Sequence, residues 1–189
     1  MRVPALSAAL LSAALLVAAC EGGKDKPESS TTTTEKSTAS SVETTATSMS
    51  VPEPATAGED FDRIFREISK FEEYVYEHPD PALLPVIYDE SANVLSNVRG
   101  QIENLRNRGY RYDDEGQVVH KVEVEKRSDA SHVLLRVVTS HGEQRVVDAQ
   151  GNVVQRGPGW EPRREQFLLE QGIDGKWRIQ YYTNLGPAS

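Results

Sequence analysis

Hydrophobic and polar positions follow three different rhythms along this chain. Ala5 to Ala19 is an apolar run without a charge. From Glu21 to Gly58 the few aliphatic residues keep no period, and no aromatic residue occurs. From Phe61 the spacing becomes helical. Phe61, Ile64, Phe65, Ile68, Phe71 and Val75 recur three and four residues apart and fall on one face. Asp60 stands where a cap belongs, and Arg63, Arg66, Lys70 and Glu73 lie mostly off the apolar stripe. His78-Pro79-Asp80-Pro81 breaks the helix. Ala82 to Tyr88 is apolar but contains Pro85, which predicts a helical turn or two at most. Ser91 opens a third helix, with Val94, Leu95, Val98, Ile102 and Leu105 on one face and Gly109 at its end.

Beyond Gly109 the period falls to two. Val118, His120, Val122 and Val124 alternate with Val119, Lys121, Glu123 and Glu125. His132 to Thr139 and Glu143 to Asp148 read as further strands, and Asp148-Ala149-Gln150-Gly151 as a turn before Val153 and Val154. Arg163 to Gln171 and Lys176 to Asn184 form a last pair, joined at Asp174-Gly175, a strong hairpin signal. Helices first and antiparallel strands after them predict an α+β domain over residues 59–189, with the helices packed on one face of the sheet. Its 131 residues suit one core, and it needs no disulfide to hold together.

The N-terminal third is a different material. Fifteen helical residues rise only about 22 Å, short of the roughly 30 Å of a bilayer core, so Met1-Arg2 and the apolar run predict a signal peptide over residues 1–19. The run ends Leu16-Val17-Ala18-Ala19-Cys20. That ending resembles the bacterial lipobox, with Val17 where leucine is usual. The resemblance implies that Cys20 is acylated and becomes the first residue of the mature chain. No Arg-Arg pair precedes the run, which points to general secretion. From Glu28 to Ser50, fifteen of 23 residues are Ser or Thr, too polar to offset chain entropy by burial. Residues 20–58 are therefore expected to be a lipid-anchored disordered tether, whose coil spans roughly 35 Å. Thr31 to Thr34, Pro52 and Pro54 suit an O-glycosylated stalk.

Charge narrows the partners. The net charge of −8 excludes a basic nucleic-acid footprint over the whole chain. Cys20 is the one cysteine, so an intrachain disulfide and a multi-cysteine zinc site are excluded. The anchor role that the lipobox resemblance implies for Cys20 excludes a thiol nucleophile as well. The four histidines, His78, His120, His132 and His141, show no ligand spacing, and neither a metal nor a cofactor is expected. Gly-x-Ser-x-Gly and a glycine-rich phosphate loop are both missing. Asp113-Asp114-Glu115 before Gly116 reads as a solvated turn. The repeated Asp-x-x-Gly-x-Val-Val, at Asp113 and Asp148, lacks the alternating oxygen ligands of a calcium loop and reads as a repeated turn. Arg106, Arg108 and Arg111 suit the C-terminal dipole of the third helix.

The helix Phe61 to Phe71, the break Asp80-Pro81-Ala82-Leu83-Leu84, Arg99 to Gly109, and the ending Phe167-Leu168-Leu169-Glu170 … Gly175-Lys176-Trp177-Arg178-Ile179 carry a second resemblance. Together they look like the nuclear transport factor 2-like superfamily, a cone-shaped, cystatin-like α+β fold that includes ketosteroid isomerase and the polyketide cyclase SnoaL. The lipobox, Ser/Thr tether and such a domain together resemble small lipoproteins of actinobacteria. The resemblance implies a curved sheet, an opening between sheet and helices, and pairing of copies through the sheets as a possible homodimer. The acids and tyrosines of the isomerases cannot be placed on matching positions, so no catalytic residue is assigned.

The aromatic residues allow two readings. In one, Trp177 and Ile179 are core and the tyrosines edge it. In the other, Tyr110 and Tyr112, two apart where the chain enters the sheet, line a pocket together with Trp177, Tyr181 or Tyr182. Strict alternation puts Trp177, Ile179 and Tyr181 on one face and Tyr182 on the other. Trp160, in a Gly/Pro loop, is either an exposed contact or the lid of the cone. The resulting expectation is an exported lipoprotein held at the outer face of the cytoplasmic membrane through Cys20. Its domain would be a non-enzymatic binding or accessory module for a small ligand or an envelope protein. The alternative is an isomerase- or dehydratase-like enzyme, or a carrier, using the cone on a small apolar substrate.

Overall fold

A computed structural model describes residues 50–188. The signal peptide, Cys20 and the tether up to residue 49 lie outside the described residues. Among the described residues no helix is long and apolar enough to cross a membrane.

Helix α1 (Phe61–Glu77) forms where the apolar stripe predicts it. Asp60 accepts the Arg63 N–H at 3.1 Å and closes its N-terminus. Ile64, Phe65, Ile68, Phe71 and Val75 are buried, and each such side chain stabilises the fold by about 1.5–3 kcal/mol. Phe61 meets Trp177 edge-on at 5.1 Å and Phe65 meets Phe167 at 4.6 Å, so α1 lies across the two final strands. The proline-broken segment is a short 3₁₀ helix (Pro81–Val86), capped by Asp80 and anchored by the buried Leu84. Helix α2 (Leu95–Arg108) begins four residues later than expected. Asp89 holds the Ser91 N–H at 2.8 Å in a turn of its own, which delays the helix. Its buried face is Leu95, Val98, Ile102 and Leu105, and Gly109 ends it in the left-handed region at φ 66°.

The strands are β1 (Arg111–Tyr112), β2 (Gln117–Arg127), β3 (His132–His141), β4 (Gln144–Val147), β5 (Val153–Gly157), β6 (Trp160–Gln171) and β7 (Trp177–Pro187). β2-β3-β6-β7 form one antiparallel sheet and β1-β4-β5 a smaller one. Bulges interrupt the long strands, one at His120 and one at Glu125 in β2, and one at Gln180 in β7. Each bends its strand and reverses the in-out alternation beyond it, which curves the sheet around the helices. Val119 and Val122, three apart, thus both pack on the core, while Val118 and Val124 are exposed. This is the α+β class that the order of helices and strands predicts, with the curved, cone-like sheet that the family resemblance implies.

The domain starts before residue 59. Pro54 and Thr56 are buried, and Ala57 forms a bridge to Lys176. The Arg63 guanidinium donates to Ala57 O at 2.8 Å, and Trp177 Nε1 donates to Gly58 O at 2.8 Å. The last residues assigned to the tether are therefore a strap along β7. Their spacing shows no period because the backbone makes the contacts.

Candidate functional site

Between α1, α2 and the concave side of the large sheet lies a cavity of about 480 Å³. One part of its wall is aromatic: Phe65, Tyr76, Tyr88, Tyr112, Trp160 and Tyr182. Another is acidic: Glu72, Glu73, Glu77, Asp114, Glu115 and Glu165. Helix α1 supplies the floor because it carries a second stripe beside its apolar one. Ser69, Glu72, Glu73 and Tyr76 recur at three-and-four spacing and turn toward the space that the core residues leave open.

Glu72 is half-buried and lines the cavity. Its Oε1 accepts from the hydroxyl of the buried Tyr88. Burial pushes its carboxyl above the ordinary range. The Tyr88 hydrogen bond pulls it part of the way back, and the negative charges of Glu165 and Glu73 push it further up. Burial raises the Tyr76, Tyr88 and Tyr182 phenols, so all three stay protonated donors. Tyr76 gives its proton to Gln101 Oε1 of α2 at 2.8 Å.

Glu165 forms the opposite wall and is 1% exposed. It accepts from Thr139 Oγ1 at 2.6 Å, from Arg163 Nε at 2.8 Å and from the Tyr182 hydroxyl at 2.8 Å. Both carboxylate oxygens are satisfied, which a buried charge requires. The Arg163 guanidinium in turn lies 4.0 Å over the Trp160 ring. Trp160 keeps a buried indole N–H without a partner. His141 sits against the same ring, with 4.6 Å between centroids, and its Nε2 is 3.6 Å from Asp114 Oδ1. Glu73 accepts the Gln117 N–H at 2.8 Å, and burial raises its carboxyl.

Of the residues proposed from sequence, Tyr112 and Tyr182 stand in the cavity wall. Trp177 does not. It is core, 1% exposed. Tyr181 is exposed at 44% and faces outward, and Tyr110 packs against the core without reaching the cavity. The Gln180 bulge exchanges Tyr181 and Tyr182 relative to strict alternation. Asp114 is not the solvated turn residue that its acidic neighbours suggest. Its side chain is 6% exposed, beside His141. Trp160 belongs to the wall rather than to an exposed surface. Glu72 and Glu165 were not foreseen. The α1 spacing carries a signal for Glu72, whereas Glu165 depends on strand pairing that sequence does not display. Among the described residues no group of three or more His, Asp or Glu is arranged to hold a metal ion.

No family model and no curated protein matches the chain. Among solved structures it is similar to the intermembrane-space region of the chloroplast protein ARC6, at 15% identity and a TM-score of 0.49 over 67% of this chain and 94% of that one. It is also similar to Aln2 from a Streptomyces species, at 12% identity and a TM-score of 0.45 over 68% and 92% of the two chains. A ketosteroid isomerase-like protein from Erwinia carotovora atroseptica is similar at 13% identity and a TM-score of 0.39 over 65% and 94%.

Proposed function

We propose that this protein is an exported lipoprotein, held at the outer face of the cytoplasmic membrane by acylated Cys20, whose domain takes up a small, largely apolar molecule. The cavity carries this reading. About 480 Å³ lies within the range of small-molecule sites, and its aromatic wall with a few placed polar groups suits an organic ligand. Tether and anchor would present that cavity within the cell envelope. Two measurements test the two halves. Cys20→Ser is expected to move the protein out of the membrane fraction. The neutral dye N-phenylnaphthylamine is expected to bind the full chain saturably over a micelle blank, and Val98→Trp, which fills the cavity, to abolish that binding. Unsaturable dye binding, equal in both proteins, overturns the cavity reading.

One observation favours a second reading, an isomerase- or dehydratase-like enzyme. Glu72 Oε2 has no hydrogen-bond partner among the described residues, and a carboxyl raised above its ordinary range suits proton transfer nearer neutral pH. Turnover of a carbonyl or hydroxyl substrate that is lost in Glu72→Gln would support it.

A further inference from the structure

The charge of the cavity wall is lopsided. Its carboxyl groups face one guanidinium, Arg163, and one imidazole, His141. The cations are already committed. Arg163 is bound to Glu165 on one side and lies over Trp160 on the other, and His141 faces Asp114. Glu72 has neither. Its nearest charged groups are acidic, and its one donor is a neutral phenol. A carboxylate or phosphate ligand would enter against this field, and a neutral ligand would gain nothing from it.

We propose that the ligand is an organic cation, an ammonium group on an apolar body, with the ammonium beside Glu72 and the body against the aromatic wall. This rests on the reading of the cavity as a small-molecule site. Tyr76, Tyr88, Tyr112 and Tyr182 line the same cavity, Tyr88 in direct contact with Glu72, and a desolvated ammonium is drawn to aromatic rings. An ion pair would also give Glu72, a half-buried carboxyl, the counterion that the wall does not supply.

The same arrangement couples binding to a proton. Glu72 is faced by Glu73 and Tyr76 from its own helix, by Tyr88, and by Glu165 and Tyr182 from β6 and β7. Helix α2 contributes only the neutral Asn97, Val98 and Gln101 to the cavity. No group on these elements stabilises the ionised form of Glu72 except the Tyr88 hydroxyl. An arriving ammonium does, so across the pH range in which Glu72 titrates the cation displaces its proton and binds more tightly as pH rises.

The test is calorimetric titration of the full chain in detergent with two probes of one shape. One is benzyl(hydroxyethyl)dimethylammonium, and the other is its isostere with a quaternary carbon in place of nitrogen. The cation is expected to bind at least about tenfold more tightly than the neutral probe. Its apparent enthalpy is expected to vary with the ionisation enthalpy of the buffer, as proton release requires. In Glu72→Gln the preference is expected to vanish while the neutral probe binds as before. Equal affinity in the unaltered protein overturns the cation assignment and leaves the small-molecule site standing. A preference that survives Glu72→Gln overturns the placement at Glu72. Failure of both probes, together with unsaturable dye binding, removes the site itself.

Discussion

The Tyr182 hydroxyl reaches Glu165 at 2.8 Å, across two neighbouring strands, because Gln180 is an extra residue in β7. Without that bulge the side chains beyond it would exchange faces. Tyr181 would point inward, and Glu165 would lose one of its donors. The polar wall of the cavity is thus set by an irregularity of the sheet.

Among the described residues Arg163 is the only cation bound to Glu165, whose carboxylate is buried. Arg163→Met is expected to cost about 3–5 kcal/mol, because it strands a charge away from water. Adding Glu165→Gln removes the charge, keeps an acceptor for one of the Thr139 and Tyr182 hydroxyls and offers an amide donor to the other. The double variant is therefore expected to be more stable than Arg163→Met alone. Urea unfolding of the three proteins checks the order.

Tyr88→Phe keeps the ring in the core and removes the donor to Glu72. A loss of about 1–2 kcal/mol is expected in the same assay, the cost of an unsatisfied partner. Glu72 is then expected to titrate higher still, and carbon-13 NMR of the carboxyl reads that directly.

The Glu72 and Glu73 carboxyls both titrate higher in the folded state than an ordinary glutamate. Between the ordinary value and the folded one, the native protein holds more protons than the unfolded chain. Their contribution is therefore fully present at acid pH and declines as pH rises through the window. Asp129 works the other way. Its hydrogen bonds with His132 and Ser131 lower it to about 2, so its contribution is lost only as pH falls below the ordinary aspartate range. Glu72→Gln is expected to flatten the decline and to be more stable than the parent at neutral pH. Unfolding free energies across the acid-to-neutral range decide it, and a parallel slope in both proteins would contradict a raised Glu72 carboxyl.

Gly116 lies at φ 72°, and a Cβ there would stand 2.6 Å from the Glu73 carboxyl. Gly116→Ala therefore meets both a backbone penalty of roughly 1–2 kcal/mol and a clash that displaces Glu73. A melting temperature lower than that of Gly109→Ala, where a Cβ meets nothing within 4 Å, separates the clash from the backbone penalty.

The helices, the hairpin and the class of fold are legible in the sequence because they follow local periods. Ile64 and Val75 announce their burial by spacing alone. The site is less legible. Tyr181 and Tyr182 exchange roles through a bulge that no alternation pattern displays, and Asp114 looks like its exposed neighbour Asp113 until β3 brings His141 beside it. Glu165 sits in the polar run Arg163 to Gln166, and only pairing with β3 and β7 gives it Thr139 and Tyr182. The α1 stripe Ser69, Glu72, Glu73, Tyr76 is the exception, a polar row at helical spacing beside an apolar one. Such a row marks a helix that borders a cavity as well as a core.

Native mass spectrometry of the full chain, purified from its native host beside Val98→Trp, tests the cavity most directly. The account predicts a small organic molecule bound one to one in the unaltered protein and absent from the filled variant. Two ligand-free masses, unchanged when a small-molecule extract of the host cells is added, would contradict it.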